Sequence, residues 1–114
     1  MGEYIDRAIG LQPLVREHAD QNEAQRHLSD VLAQAFSAAG LYRMSAPVDC
    51  FGGGQPPREQ IGVIEALAHA DGSSAWNVMI GIESFGLIAP AFASCRELIA
   101  DPDVILASST AAVG

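Results

Sequence analysis

The stretch Cys50–Pro57, CFGGGQPP, sets three glycines ahead of two prolines, and a glycine run of this kind can wrap backbone N–H groups around a phosphate. A dinucleotide fingerprint begun at Gly52 would need glycine where Pro57 stands, and no βαβ pattern surrounds it. The run lies between two helical patterns, so it reads as a hinge: glycine supplies turns of positive φ, and the prolines start the next helix. His18, His27 and His69 show no HExxH or other ligand spacing, so no metal site is expected. There is no GxSxG elbow, and Ser73 and Ser74 stand where helix caps belong. Cys50 follows Asp49 and has no neighbouring cation in sequence to favour a thiolate. Cys50 and Cys95 form no CxxC pair and read as free thiols. Glu83, on the most apolar stretch, is either a desolvated acid or base, or a carboxylate at a rim or beside an arginine. The complete absence of lysine removes Schiff-base chemistry and a Walker lysine.

The balance of charge narrows the partners. Six arginines stand against 14 Asp and Glu, a net charge of −8, and no basic cluster occurs. Nucleic acid and anionic membranes are therefore not expected partners. With 49% hydrophobic and 18% charged residues in 114, the chain has the composition of one folded domain. Ala75–Phe92 is the most apolar segment but contains Asn77, Glu83, Ser84 and Pro90, and reads as a buried helix, not a membrane span. The charged opening MGEYIDRAIG lacks the apolar run of a signal peptide, which makes a cytoplasmic location the expectation.

Hydrophobic spacing supplies the elements that would position these groups. A first helix is expected from Tyr4 to about Asn22, with Pro13 as a kink or a later start. Val31, Leu32, Ala35, Phe36 and Ala39 mark a second, capped by Ser29 and stopped at Gly40. Pro57 opens a third, with Ile61, Ile64, Leu67 and Ala68 as its inner stripe. The fourth, capped by Ser73 or Ser74, carries Trp76, Val78, Met79, Ile80, Ile82, Phe85, Leu87 and Ile88, leaves almost no polar face and belongs at the centre. Pro90 ends it, and Ser94–Glu97 reads as a capping box opening a short fifth helix. Asp103–Thr110 reads as an extended strand without a partner. The fold class is all-α, about five helices in an orthogonal or bundle-like arrangement with a terminal extended segment.

The order of these features resembles the N-terminal helical domain of the flavin-dependent acyl-CoA dehydrogenase superfamily. Ala39, Gly40 and Leu41 match its E-A-G-L motif. Pro47 and Phe51–Gly53 match P-x-x-[YF]-G-G-x-G with one extra residue, at Cys50. Ala70, Asp71, Ser73, Ala75 and Trp76 match A-x-A-D-x-S-x-A-W. Leu106–Ser109 with Gly114 match the later [LI]-A-[GS]-S-x-x-P-x-G, with Ala112 in place of proline. The resemblance implies a helical domain over 1–102, with 103–114 beginning a β-rich middle domain, and a C-terminal helical bundle beyond. It implies α,β-dehydrogenation of an acyl-CoA thioester with FAD in the complete enzyme, and a homo-oligomer. HADGSSAW and ILASST are similar also to the two-component monooxygenase branch, in which reduced FMN or FAD from a reductase and oxygen would hydroxylate an aromatic substrate. By the same resemblance Asn77, Val78, Gly81, Ile82 and Phe85 would face the substrate, Gly81 giving depth and Phe85 the floor; core packing is the plainer role for each. No catalytic residue and no cofactor are expected on this chain alone, which would be inactive without the middle and C-terminal domains. The rival from another class is a free-standing, non-catalytic helical interaction module.

Overall fold

The computed structural model describes residues 2–108, apart from the side chains of 90 and 92–95. Among them are five α-helices: α1 (Glu3–Gln25), α2 (Asp30–Ala38), α3 (Pro57–Ala70), α4 (Gly72–Ile88) and α5 (Phe92–Ala100). Short 3-10 turns at Val48–Cys50 and Ala89–Ala91 join them, and there is no strand among the described residues. The chain is all-α, as its hydrophobic spacing predicts.

Pro13 does not divide α1, which runs unbroken through it. The ring removes one N–H and leaves the carbonyl of Ile9 without its helical donor, but both positions face solvent, where water replaces the lost bond. The other end of the problem is the helix start. Gly2 has no side chain with which to cap α1, and Glu59 on α3 does so instead, accepting from the Ile5 N–H at 3.0 Å. Farther along, the Gln12 side-chain amide donates to the Ala66 carbonyl at 2.7 Å, so α1 and α3 are tied at both ends of their shared face. Arg26, in the left-handed region at φ 62°, ends α1.

Ser29 caps α2 through the Leu32 N–H at 3.3 Å. Gly40, at φ 74°, turns the chain out of the helix, and Leu41 N–H closes back on Phe36 C=O at 3.1 Å. Both features follow the sequence pattern. The stripe of α3 does so in part: Leu67 is buried and Ile64 packs against the core, as expected, but Val63 and Ala66 are buried beside them, whereas Ile61 is 63% exposed and Ala68 is also outside. The covered i, i+3, i+4 set of Val63, Ala66 and Leu67 is the one that α1 and α4 reach, and it shares Leu67 with the expected stripe.

Asp71, not Ser73 or Ser74, caps α4. Its carboxylate accepts from the Ser74 N–H at 3.0 Å and from the Ser74 hydroxyl at 2.6 Å. A carboxylate in extended backbone immediately before the helix reaches that third N–H, and its charge suits the helix N-terminus. Nor is α4 covered all round. Ala75, Val78, Ile82 and Phe85 are buried, while Trp76 and Leu87 are 63% and 65% exposed. Only one side of α4 meets the core, so its apolar composition exceeds what this chain covers.

The chain passes from α4 through the Ala89–Ala91 turn directly into α5 at Phe92, placing residue 94 inside the helix instead of ahead of it. The capping-box expectation thus fails on the backbone, and the Ser94 side chain lies outside the described residues. Residues 104–108 run without a ladder partner, consistent with the marginal standing of an isolated strand. Ser109 to Gly114 lie outside the described residues. The core gathers Ala8 and Val15 of α1, Leu32 and Phe36 of α2, Leu41, Tyr42 and Met44 of the following segment, and Ile99 of α5, with the inner faces of α3 and α4.

Candidate functional site: the two faces of α4

The glycine run forms no phosphate cradle. The Gly52 N–H donates to Pro47 C=O at 3.0 Å, Gly53 to Arg43 C=O at 3.1 Å and Gly54 to Ala46 C=O at 2.8 Å. Its donors are consumed by the preceding segment, so none is left to converge on an anion. The glycines permit this because a Cβ at Gly52 would stand 2.1 Å from the Ala46 carbonyl oxygen. The hinge reading therefore sharpens into a close backbone clasp between residues 43–47 and 52–55.

That clasp holds residues 42–45 over one face of α4. The Tyr42 ring lies on Gly81, where a Cβ would come within 2.3 Å of it. The Tyr42 hydroxyl donates to Asn77 Oδ1 at 2.6 Å. The Arg43 guanidinium sits 4.9 Å from the Phe85 ring centroid, and the Ser45 hydroxyl donates to the Ile82 carbonyl at 2.6 Å. Of the five positions singled out for substrate contact, Val78, Gly81, Ile82 and Phe85 are buried in the core of this chain, and Asn77 is exposed. The depth that a glycine at position 81 offers is filled by Tyr42.

Burial pushes the Tyr42 phenol above its ordinary value of 10.0, which keeps it a neutral donor to Asn77. Because the folded state resists ionisation, its contribution is fully present below about pH 10 and is lost as pH rises toward the folded value. The wild-type chain is expected to lose stability above pH 10, and Tyr42→Phe to lose less over the same interval, as read from urea unfolding at stepped pH.

A neighbouring face of α4 opens on a cavity of 780 Å³ between the C-terminal end of α1, the turn after it, and residues 105–107; Asn22, Leu28, Trp76, Asn77, Ile80 and Leu106 are among its walls. This volume falls in the range of small-molecule pockets, about 300–1,000 Å³. The Ser84 hydroxyl, 2.9 Å from that of Ser108, holds the 105–108 run against α4. Asn22 was not singled out by the sequence. It is 8% exposed, its Oδ1 accepts from the Ser29 N–H at 2.8 Å, and its Nδ2 has no hydrogen-bond partner. A backbone N–H can only donate, so Oδ1 must face Ser29 and Nδ2 must face away. A buried donor left in this state costs about 1–3 kcal/mol.

Other sequence candidates do not assemble into a site. Among the described residues no group of His, Cys, Asp and Glu could hold a metal. His18 pairs with Gln21 and His27 with the Leu28 carbonyl. His69 lies 3.9 Å from Glu65 on the outside of α3. Cys50 is a free thiol, partly buried against the core. Glu83 is exposed on the outer side of α4. Among the described residues no helix is long and apolar enough to cross a membrane.

With these faces in view, comparison with known proteins gives a direction. The chain is similar to a monooxygenase. It shares 35% identity over 97 residues with an indole-3-acetate monooxygenase of Pseudomonas putida, an alignment covering 82% of this chain and 25% of that protein. The chain thus spans about a quarter of the length of the curated relative it matches. No family model matches it, and no solved structure does so.

Proposed function

We propose that this chain is the N-terminal helical part of a flavin-dependent monooxygenase that acts on an aromatic substrate. The observation that carries the reading is the 35% identity to the indole-3-acetate monooxygenase across 82% of the chain. The all-α architecture and the ordered motifs from Ala39 to Ser109 support it. The same motifs occur in the dehydrogenase branch, but the relative found is an oxygenase, and the oxygenase reading takes precedence for that reason. In the complete enzyme bound reduced flavin would supply the electrons that activate oxygen. The described residues do not fit a flavin phosphate, since the N–H groups of Gly52–Gly54 are engaged with carbonyls, and flavin binding is assigned to the rest of a longer protein.

Within this reading α4 is the chain's contribution to the substrate side. Asn77, exposed and oriented by Tyr42, makes the contact, and Val78, Gly81, Ile82 and Phe85 fix its position from the core. The exposed Trp76 and Leu87 belong to the face that the remaining domains cover. The test is a chimera in which this chain replaces the aligned N-terminal portion of the P. putida enzyme. A folded chimera should hydroxylate indole-3-acetate in a reduced-flavin-dependent reaction, and Asn77→Ala should raise KM at least severalfold. A soluble, flavin-loaded chimera without oxygenase activity would overturn the reading.

A further inference from the structure

We propose that Tyr42 is a positioning residue that turns the Asn77 amide so that α4 offers the substrate a donor, Nδ2, and that the substrate is an aromatic compound whose side chain carries a hydrogen-bond-accepting oxygen. The inference rests on the oxygenase reading and deepens it, because it names the group that the substrate must present to α4.

Three observations carry it. The first is the direction of the Tyr42–Asn77 bond. Tyr42 is 2% exposed, and among the described residues its hydroxyl has one partner, Asn77 Oδ1 at 2.6 Å. With the amide reversed, the hydroxyl would accept from Nδ2 and its own proton would lack an acceptor inside the fold, which disfavours that orientation by about tenfold or more. The second is the rigidity of the ring that aims the hydroxyl. It lies on Gly81, one turn of α4 from Asn77, where a Cβ would come within 2.3 Å. The Phe36 ring meets it edge-on, with centroids 6.2 Å apart at 73°, so the ring cannot swing away from Asn77. The third is what remains free. Asn77 is exposed, and its Nδ2 makes no hydrogen bond among the described residues. On the same side of α4, the Ser74 hydroxyl is committed to Asp71 and the Ser84 hydroxyl to the Ile80 carbonyl, so neither offers a proton in its place. An amide held with Nδ2 outward can only donate. A site built this way favours a substrate that brings an acceptor and penalises one that leaves the donor unpaired or brings a second donor. The carboxylate of indole-3-acetate is one such acceptor.

The experiment uses the chimera with the P. putida enzyme and three compounds that share the indole ring. Indole-3-acetate is the substrate, and 3-methylindole, without a side-chain oxygen, and tryptamine, whose side chain ends in a donor, are competitive inhibitors. Tyr42→Phe frees the amide to turn, and should raise the ratio of KM for indole-3-acetate to Ki for 3-methylindole about tenfold. Asn77→Asp keeps an acceptor for Tyr42 and replaces the outward donor by an acceptor. It should raise the same ratio at least about tenfold and lower the Ki of tryptamine about threefold or more, a gain that loss of folding cannot produce. A chimera that oxygenates indole-3-acetate while both variants leave these ratios in place overturns the proposal and leaves the oxygenase reading standing. A flavin-loaded chimera without oxygenation overturns that reading, and the proposal with it.

Discussion

Replacing Gly52 by alanine is expected to lower the unfolding free energy by about 3 kcal/mol. A Cβ at this position would lie 2.1 Å from the Ala46 carbonyl oxygen, 2.4 Å from its carbonyl carbon and 2.5 Å from its Cβ. The first two are main-chain atoms, and Ala46 is buried, so no flexible side chain can swing aside. Relief requires separating the two backbones that Gly53 N–H to Arg43 C=O, Gly54 N–H to Ala46 C=O and Gln55 N–H to Met44 C=O hold together. Gly72 provides the internal control, because a Cβ there meets nothing within 4 Å; Gly72→Ala should fall within about 0.5 kcal/mol of wild type. Urea midpoints of the two variants decide the matter, and equal midpoints would show that the clasp is slack.

The clasp also marks how far the sequence could be read. Helix positions were legible because each rests on local signals: the Ser29 cap, Gly40 at positive φ and Pro57 at the first turn of α3 act within a few residues of themselves. The faces were less legible. Which side of α3 is inner depends on where α1 and α4 approach it, and Ile61 and Val63 are equally apolar as letters. The same limit applies to α4, whose composition gives no hint that Trp76 would be exposed while Val78 is buried. Asn22 escaped notice for a related reason. A polar residue near a helix end ordinarily faces water, and here the turn after α1 folds back so that the Ser29 N–H bonds Asn22 Oδ1 and leaves the amide nitrogen buried. Gly81 shows a different gap: a small residue marks space, but the sequence does not say what fills it, and here the ring of Tyr42, from the segment after α2, does so.

Arg43→Met is expected to release α5 and the segment after it, with a loss of about 2–3 kcal/mol. The guanidinium donates to the carbonyls of Ile99 and Asp101 and to that of Val104 at 3.3 Å, while its plane covers Phe85. One side chain thus satisfies carbonyls at and beyond the C-terminal end of α5, where a cation is also favoured by the helix dipole. Burial moves the Arg43 pKa down, opposed by Asp101 and Asp103, but a guanidinium stays charged throughout the working range. Methionine preserves the stem against Phe85 and deletes every donor, so the loss measures hydrogen bonding and charge more than packing. Part of the site is open to water, which holds the expected effect below the sum of three charge-assisted bonds. Lysine should restore less than half of the loss, since a single ammonium cannot span carbonyls that the planar fork reaches together. Hydrogen exchange separates a local from a global effect: amides of α5 should lose protection while those of α1 and α3, tied by Glu59 and Gln12, keep theirs. Uniform loss across all helices would instead make Arg43 a support of the whole core, and unchanged protection in α5 would mean that buried Ile99 and the Arg96–Phe51 contact hold the helix without it.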